Sequence, residues 1–107
     1  MSMKHQNAAI YAEVLRATAH PMRLRIIDEL RQGDRCVRGL VALESISQSN
    51  VSRHLATPER VGIISGKRHF NMVVYHLEAP EILGVFQPVA QVAKRDISRR
   101  NARGRGL

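Results

Sequence analysis

Ser47-Gln48-Ser49-Asn50-Val51-Ser52-Arg53-His54-Leu55 is the stretch on which the reading of the whole chain turns. Its two apolar positions, Val51 and Leu55, are four apart, so on a helix they stack on one face. Ser49, Asn50, Arg53 and Thr57 then point the other way, with Gln48, Ser52 and His54 on the flanks. A helix pinned by two apolar side chains and showing Ser, Gln, Asn, Arg and His outward carries the groups that hydrogen-bond base edges and phosphates. The same pattern also suits an ordinary surface helix, so the flanking sequence decides.

Upstream, Val37-Arg38-Gly39-Leu40-Val41-Ala42-Leu43 reads as a short helix with Val37, Leu40, Val41 and Leu43 inward, and Glu44-Ser45-Ile46 as a three-residue turn. Ser47 suits an N-cap, with Asn50 at the third helical position. Helix, tight turn and polar-faced helix over residues 37–57 is the helix-turn-helix layout. Two residues fit it poorly. Ser45 stands where such a turn often uses glycine, and a positive φ there costs a non-glycine residue about 1–2 kcal/mol. Pro58 falls in the last turns of the second helix, where an unbroken helix would lose about 3 kcal/mol. The spacing therefore predicts a kink or break near Thr57, a regular part limited to about residues 48–57, and a further turn ending at Gly62.

Downstream, residues 63–68 and 72–77 are strand-like, and the short link His69-Phe70-Asn71 makes them an antiparallel hairpin. Lys67, Arg68, His69 and Asn71 sit at its tip and edges. A basic hairpin directly after such a helix forms a wing, suited to a phosphate backbone or a minor groove.

The ends of the chain frame this centre. Over 8–17, Ile10 pairs with Val14 and Tyr11 with Leu15, an amphipathic stripe for a neighbouring helix or a second subunit. Pro21 opens a helix with Leu24, Ile26, Ile27 and Leu30 inward, and Gly33 closes it. A final helical region over 80–100 carries Ile82, Val85 and Phe86, then Val89, Val92 and Ala93, with Gly84 and Pro88 predicting a kink or break. Residues 94–107 hold six basic residues and one acidic, and 101–107 read as a disordered basic tail, either a non-specific DNA arm or a solvating segment. The expected fold is mainly α with a small β-hairpin. It is a winged helix-turn-helix domain over residues 1–100, with five helices and a two-stranded wing.

Composition narrows the function. The chain has 107 residues, 44% apolar and 24% charged, with a formal net charge of +8. One globular domain with a polyanionic partner follows, nucleic acid first and an acidic membrane surface second. One Cys excludes an intrachain disulfide framework and fits a reducing cytoplasm. The first seven residues lack the apolar core of a signal peptide, and no apolar run approaches a membrane span. No carboxylate pair, nucleophile elbow or Gly-rich phosphate loop is visible, which argues against an enzyme.

The segments His20-Pro21-Met22-Arg23-Leu24-Arg25-Ile26-Ile27 and Ser47–Leu55 resemble the ArsR/SmtB family of winged-helix repressors. Its members carry similar HPxRLxIL and SQxxVSxHL segments at this separation. Gly62-Ile63-Ile64 through Val74-Tyr75-His76-Leu77 is similar to the family's wing, and the resemblance covers about residues 10–78. It implies a homodimer built through the first and last helices (8–17 and 80–100). It also implies binding to double-stranded operator DNA with an inverted repeat, and release on sensing a small inducer of unspecified identity. DNA contacts are then expected from Gln48, Ser49, Asn50, Ser52, Arg53 and His54 on the helix, and from Lys67, Arg68 and Asn71 on the wing. The departures matter too. Where metal-sensing members carry Cys-Val-Cys, this chain has Cys36-Val37-Arg38, and its last helix holds Asp96 but no His. Neither usual metal site is intact, so no metal or cofactor is expected. Cys36 reads either as a half-buried helix-start residue or as an effector-sensing or redox thiol. His20 is expected at a helix start and His76 on a strand surface. The competing function is a protein-interaction module on the same fold, with DNA binding weakened by Ser45 and Pro58.

Overall fold

His20 and Pro21 start the helix around which the core forms. A computed structural model describes residues 3–44 and 47–105. In it the Met22 backbone N–H donates to His20 Nδ1 at 3.0 Å, so the imidazole caps a helix whose first position is Pro21. This helix, α2 (Pro21–Arg31), buries Ile26, Ile27 and Leu30. It ends where Gly33 takes φ 146 and donates to the Leu30 carbonyl. Leu24, expected in the core, is instead 39% exposed. The buried stripe runs through Ile26, Ile27 and Leu30, and Leu24 lies off it, lining a shallow concavity with Phe86 and Val89.

Before it lies α1 (His5–Arg16), which begins three residues earlier than the apolar spacing indicated and buries none of its own residues. After it come β1 (Arg35–Cys36), α3 (Val37–Glu44) and α4 (Gln48–Arg60). The turn at Ser45-Ile46 lies outside the described residues, and with it the expectation about Ser45. Strands β2 (Ile64–His69) and β3 (Met72–Leu77) form the wing, paired from Ile64↔Leu77 to His69↔Met72. The two-residue strand β1 adds to the far side of β3, Arg35↔Tyr75 and Cys36↔Val74, giving the antiparallel order β1-β3-β2. Two residues cannot display alternation, so β1 was not foreseen. A single 3-10 turn, Pro80–Ile82, leads into α5 (Leu83–Arg105).

The core is aliphatic. Ile26, Ile27 and Leu30 of α2 meet Leu40 of α3, Val51 and Leu55 of α4, and Ile63, Ile64 and Leu77 of the wing base, with Ile82 at one edge.

Two proline expectations are corrected. The chain does not break near Thr57: α4 continues through Pro58 to Arg60. The pyrrolidine ring is fully buried, so packing offsets the one backbone bond that proline withholds from the His54 carbonyl. The end of α4 is fixed further on, by a Schellman closure. Gly62, at φ 83, donates to the Glu59 carbonyl, and Ile63 donates to the Pro58 carbonyl at 3.0 Å. Likewise α5 runs unbroken past Gly84 and Pro88. Both residues are exposed, so water can serve the Gly84 carbonyl that Pro88 leaves unpaired. Residues 101–105, expected in a disordered tail, are the end of this helix. Asp96 braces the preceding turn through Arg100 at 2.8 Å and Arg99 at 3.5 Å.

Gly62 offers a clean test, since a Cβ there meets no atom within 4 Å. Gly62→Ala should destabilise the fold by about 1–2 kcal/mol through backbone strain alone. Urea unfolding should show a lower midpoint with an unchanged m-value.

Candidate nucleic-acid interface

The polar helix is positioned by its own sequence at both ends. Ser47 is extended, φ −69 and ψ 152, and its Oγ accepts the Asn50 backbone N–H at 3.3 Å, the cap expected from the spacing. Val51 and Leu55 are buried against α2 and α3. With those two fixed inward, Gln48, Ser49, Asn50, Ser52 and Arg53 are exposed on one continuous surface. Arg53 Nη2 donates to Asn50 Oδ1 at 3.4 Å, a long contact within one helical turn that steadies the guanidinium while leaving most of its donors free.

His54 does not join that surface. Its ring turns inward onto His20, with centroids 4.1 Å apart, and its Nδ1 is buried without a partner among the described residues. Burial, then the charges of His20, Arg23 and Arg53, push its pKa below the ordinary 6.5. The His54 ring thus packs α4 onto the start of α2. His54 is half-buried on the flank of α4 that faces His20, and nothing in the local pattern distinguished that flank from the outer face.

The wing divides the remaining expected residues. Asn71, with Met72, Val73 and Tyr75, shares a cleft of about 370 Å³ with Gln48 and Ser52 of α4 and with Cys36 and Arg38 at the start of α3. Lys67 and Arg68 instead line a second concavity together with Asp34, His76 and Glu78. Gly66 permits this geometry, because a Cβ there would lie 2.9 Å from Tyr75 Cε1 and 3.0 Å from Val73 Cγ1. Arg38 and Tyr75 are the cleft residues that the motif reading passed over. Burial, and then the nearby Glu59, raise the Tyr75 pKa above 10.

Cys36 occupies the capping position of α3. Its Sγ accepts the Gly39 N–H at 3.4 Å, and the side chain is half-buried, which suits a helix-start role. Among the described residues no three His, Cys, Asp or Glu side chains gather closely enough to hold a metal ion. Asp96 is engaged by Arg99 and Arg100.

A helix-turn-helix whose second helix presents polar groups outward, beside a basic wing, defines a winged-helix nucleic-acid-binding domain. Residues 20–65 match the model for bacterial regulatory proteins of the arsR family. An HTH-type transcriptional regulator of Mycobacterium tuberculosis, Rv0081, is 33% identical over 92 residues, which are 85% of this chain and 81% of that one. Its crystal structure superposes with a TM-score of 0.73 at 30% identity, covering 91% of this chain and 98% of that chain. The SmtB transcriptional repressor of the same organism is 40% identical over 65 residues, 61% of this chain and 48% of that one. HlyU from Vibrio cholerae superposes with a TM-score of 0.72 at 27% identity, covering 83% of this chain and 97% of that chain. The chain belongs to the arsR family and is a DNA-binding transcriptional regulator, not an enzyme. Among the described residues no helix is long and apolar enough to cross a membrane.

One contact invisible in the motifs is testable by pH. His76 Nδ1 and Asp34 Oδ1 are 2.7 Å apart, joining the start of β1 to β3, with both side chains about half exposed. The hydrogen bond to Asp34, then its charge, raises the His76 pKa above 6.5. A raised histidine value means the pair's contribution is full below the unfolded value and fades as the pH rises through the folded one. His76 should titrate above 6.5 by NMR and return toward 6.5 in Asp34→Asn. The stability difference between the two proteins should be largest at about pH 5–6, where carboxylates are still ionised, and should shrink toward alkaline pH.

Proposed function

We propose that the chain is a dimeric, cytoplasmic repressor that binds an inverted-repeat operator and is released by a small effector. The observation that carries this reading is the exposed row Gln48, Ser49, Asn50, Ser52 and Arg53 on a helix anchored by Val51 and Leu55. That row is the set of donors and acceptors a major groove accommodates. Asn71 extends it from the wing, and Lys67 and Arg68 add charge for the phosphate backbone.

Dimerisation is supported by apolar side chains that one copy leaves in water. Ile10, Tyr11 and Leu15 of α1 and Val89, Val92 and Ile97 of α5 are all exposed. Joining two copies through these helices sets two α4 helices on one side, about 34–36 Å apart for successive major grooves. Neither usual metal site of the family is complete in this chain, and Cys36, which remains from one of them, is the thiol to test. Operator binding titrated with zinc, arsenite, peroxide and persulfide separates the two readings of Cys36: an unchanged response in Cys36→Ser removes thiol sensing. The alternative of an interaction module loses one of its two premises, because Pro58 does not interrupt α4.

Arg53→Ala should weaken binding to a selected operator by about 1–3 kcal/mol if the guanidinium reads a guanine. Fluorescence anisotropy at fixed salt should show a much smaller loss on random duplex. Equal losses on both would make Arg53 a phosphate contact.

A further inference from the structure

The tip of the wing carries an aromatic ring that the fold does not use. Phe70 is 85% exposed, and its ring meets that of His69 edge-on, with centroids 4.8 Å apart. Its backbone lies at φ 59, the one non-glycine residue at positive φ among those described. A bulky side chain in that region is an outlier, and hairpin turns that need it ordinarily use Gly, Asn or Asp. The chain has an asparagine at the very next position, Asn71, yet places the phenylalanine at the strained one. An exposed large apolar group and a strained backbone thus coincide at one residue. Such a conflict between local rules points to a use outside the fold.

The surroundings indicate the use. The β2–β3 ladder is paired out to His69↔Met72, so the ring is held at a fixed reach from the domain. Lys67 and Arg68 are exposed on the strand leading to it. Asn71, beside it, opens onto the same cleft as Gln48 and Ser52, so the tip and the polar face of α4 look out on one side. An exposed apolar side chain with cations on the strand leading to it suits the unstacking of a base step from the minor groove while nearby phosphates are neutralised.

Building on the DNA-binding reading above, we infer that Phe70 is a wedge for the operator duplex. With α4 in the major groove, the wing tip seats the Phe70 ring at a base step of the adjacent minor groove and kinks the DNA. Lys67 and Arg68 lie along the flanking phosphates. The ring forms no hydrogen bond, so it selects for deformability and favours flexible pyrimidine–purine steps at that position.

The test uses duplexes selected by the full wild-type chain from a randomised pool. They are end-labelled for energy transfer and carry 2-aminopurine in the sequence flanking the site bound by α4. Wild type should shorten the end-to-end distance and brighten 2-aminopurine at one flanking step. Phe70→Asn keeps a residue that tolerates positive φ. It should lose both signals and about tenfold in affinity, while melting at the same or a higher temperature than wild type. Phe70→Leu, which keeps an apolar wedge, should retain most of the bend. Tight, selective binding with Phe70→Asn bending the DNA as wild type does would overturn the wedge and leave the DNA-binding reading standing. Failure of wild type to select any sequence would overturn both. A fall in the sedimentation mass of free Phe70→Asn would make the ring a contact between copies, and would equally overturn the wedge.

Discussion

Ile63 is the residue on which the geometry of the binding surface depends. Its N–H closes the end of α4 on the Pro58 carbonyl, and its own carbonyl accepts the N–H groups of Glu78 and Ala79 at 3.0 and 3.1 Å. Its side chain is buried beside Ile64 and Leu77. One residue therefore terminates the polar helix, starts the wing and holds the strand that leads into the last helix. Polar side chains on α4 and Asn71 on the wing can address one duplex only if the angle between the two elements is fixed. Three backbone hydrogen bonds shielded by an aliphatic core fix it. Gly62 serves the same closure, since only a residue free to take φ 83 allows the chain to leave the helix and enter the sheet in one step.

Much of this was legible in the sequence wherever the determinant was local. The cap at Ser47, Pro21 at a helix start, Gly33 at a helix end and the hairpin all follow from the chemistry of neighbouring residues. The apolar pair Val51 and Leu55 identified the buried side of α4, and the exposed set Gln48, Ser49, Asn50, Ser52 and Arg53 followed. What was not legible came from contacts distant in the chain. The cost of Pro58 is a local quantity, but its offset is burial in a core built from α2, α3 and the wing. β1 exists because β3 offers it an edge, and its two residues carry no periodicity. His54 lay on a flank of the helix, and only the approach of His20, 34 positions earlier, decides that the flank faces inward. Phe70 escaped notice because hairpin tips are read for glycine and asparagine, and Asn71 satisfied that expectation.

The charge of +8 is a property of the whole chain, yet its placement is uneven around the wing. The cleft between wing and α4 has Arg38, Gln48, Ser52 and Asn71 on its walls and, among the described residues, no carboxylate lining it. The second concavity mixes Lys67 and Arg68 with Asp34 and Glu78. The cleft beside α4 therefore suits an anionic partner, and in the second concavity Asp34 and Glu78 offset only part of the charge of Lys67 and Arg68, which are exposed on β2. His54 contributes to the same balance. Burial, then the charges of His20, Arg23 and Arg53, lower its pKa and so disfavour a further positive charge on a surface already rich in cations.

The length of α5 bears on the dimer proposed above. After Phe86, which packs on the core, residues 87–95 are all exposed, and the helix continues to Arg105. A helix of 23 residues spans roughly 34 Å, far more than the domain covers. Its Val89, Val92 and Ile97, like Ile10, Tyr11 and Leu15 of α1, find no apolar neighbour within the chain's own buried core. In proteins most helical stability comes from packing of an amphipathic face rather than from propensity. The proposed pairing of α1 and α5 supplies that packing and sets the spacing of the two α4 helices in the same step. Folding of α5 and presentation of the operator-binding surface then become one concentration-dependent equilibrium, in which dilution both frays the helix and separates the half-site readers.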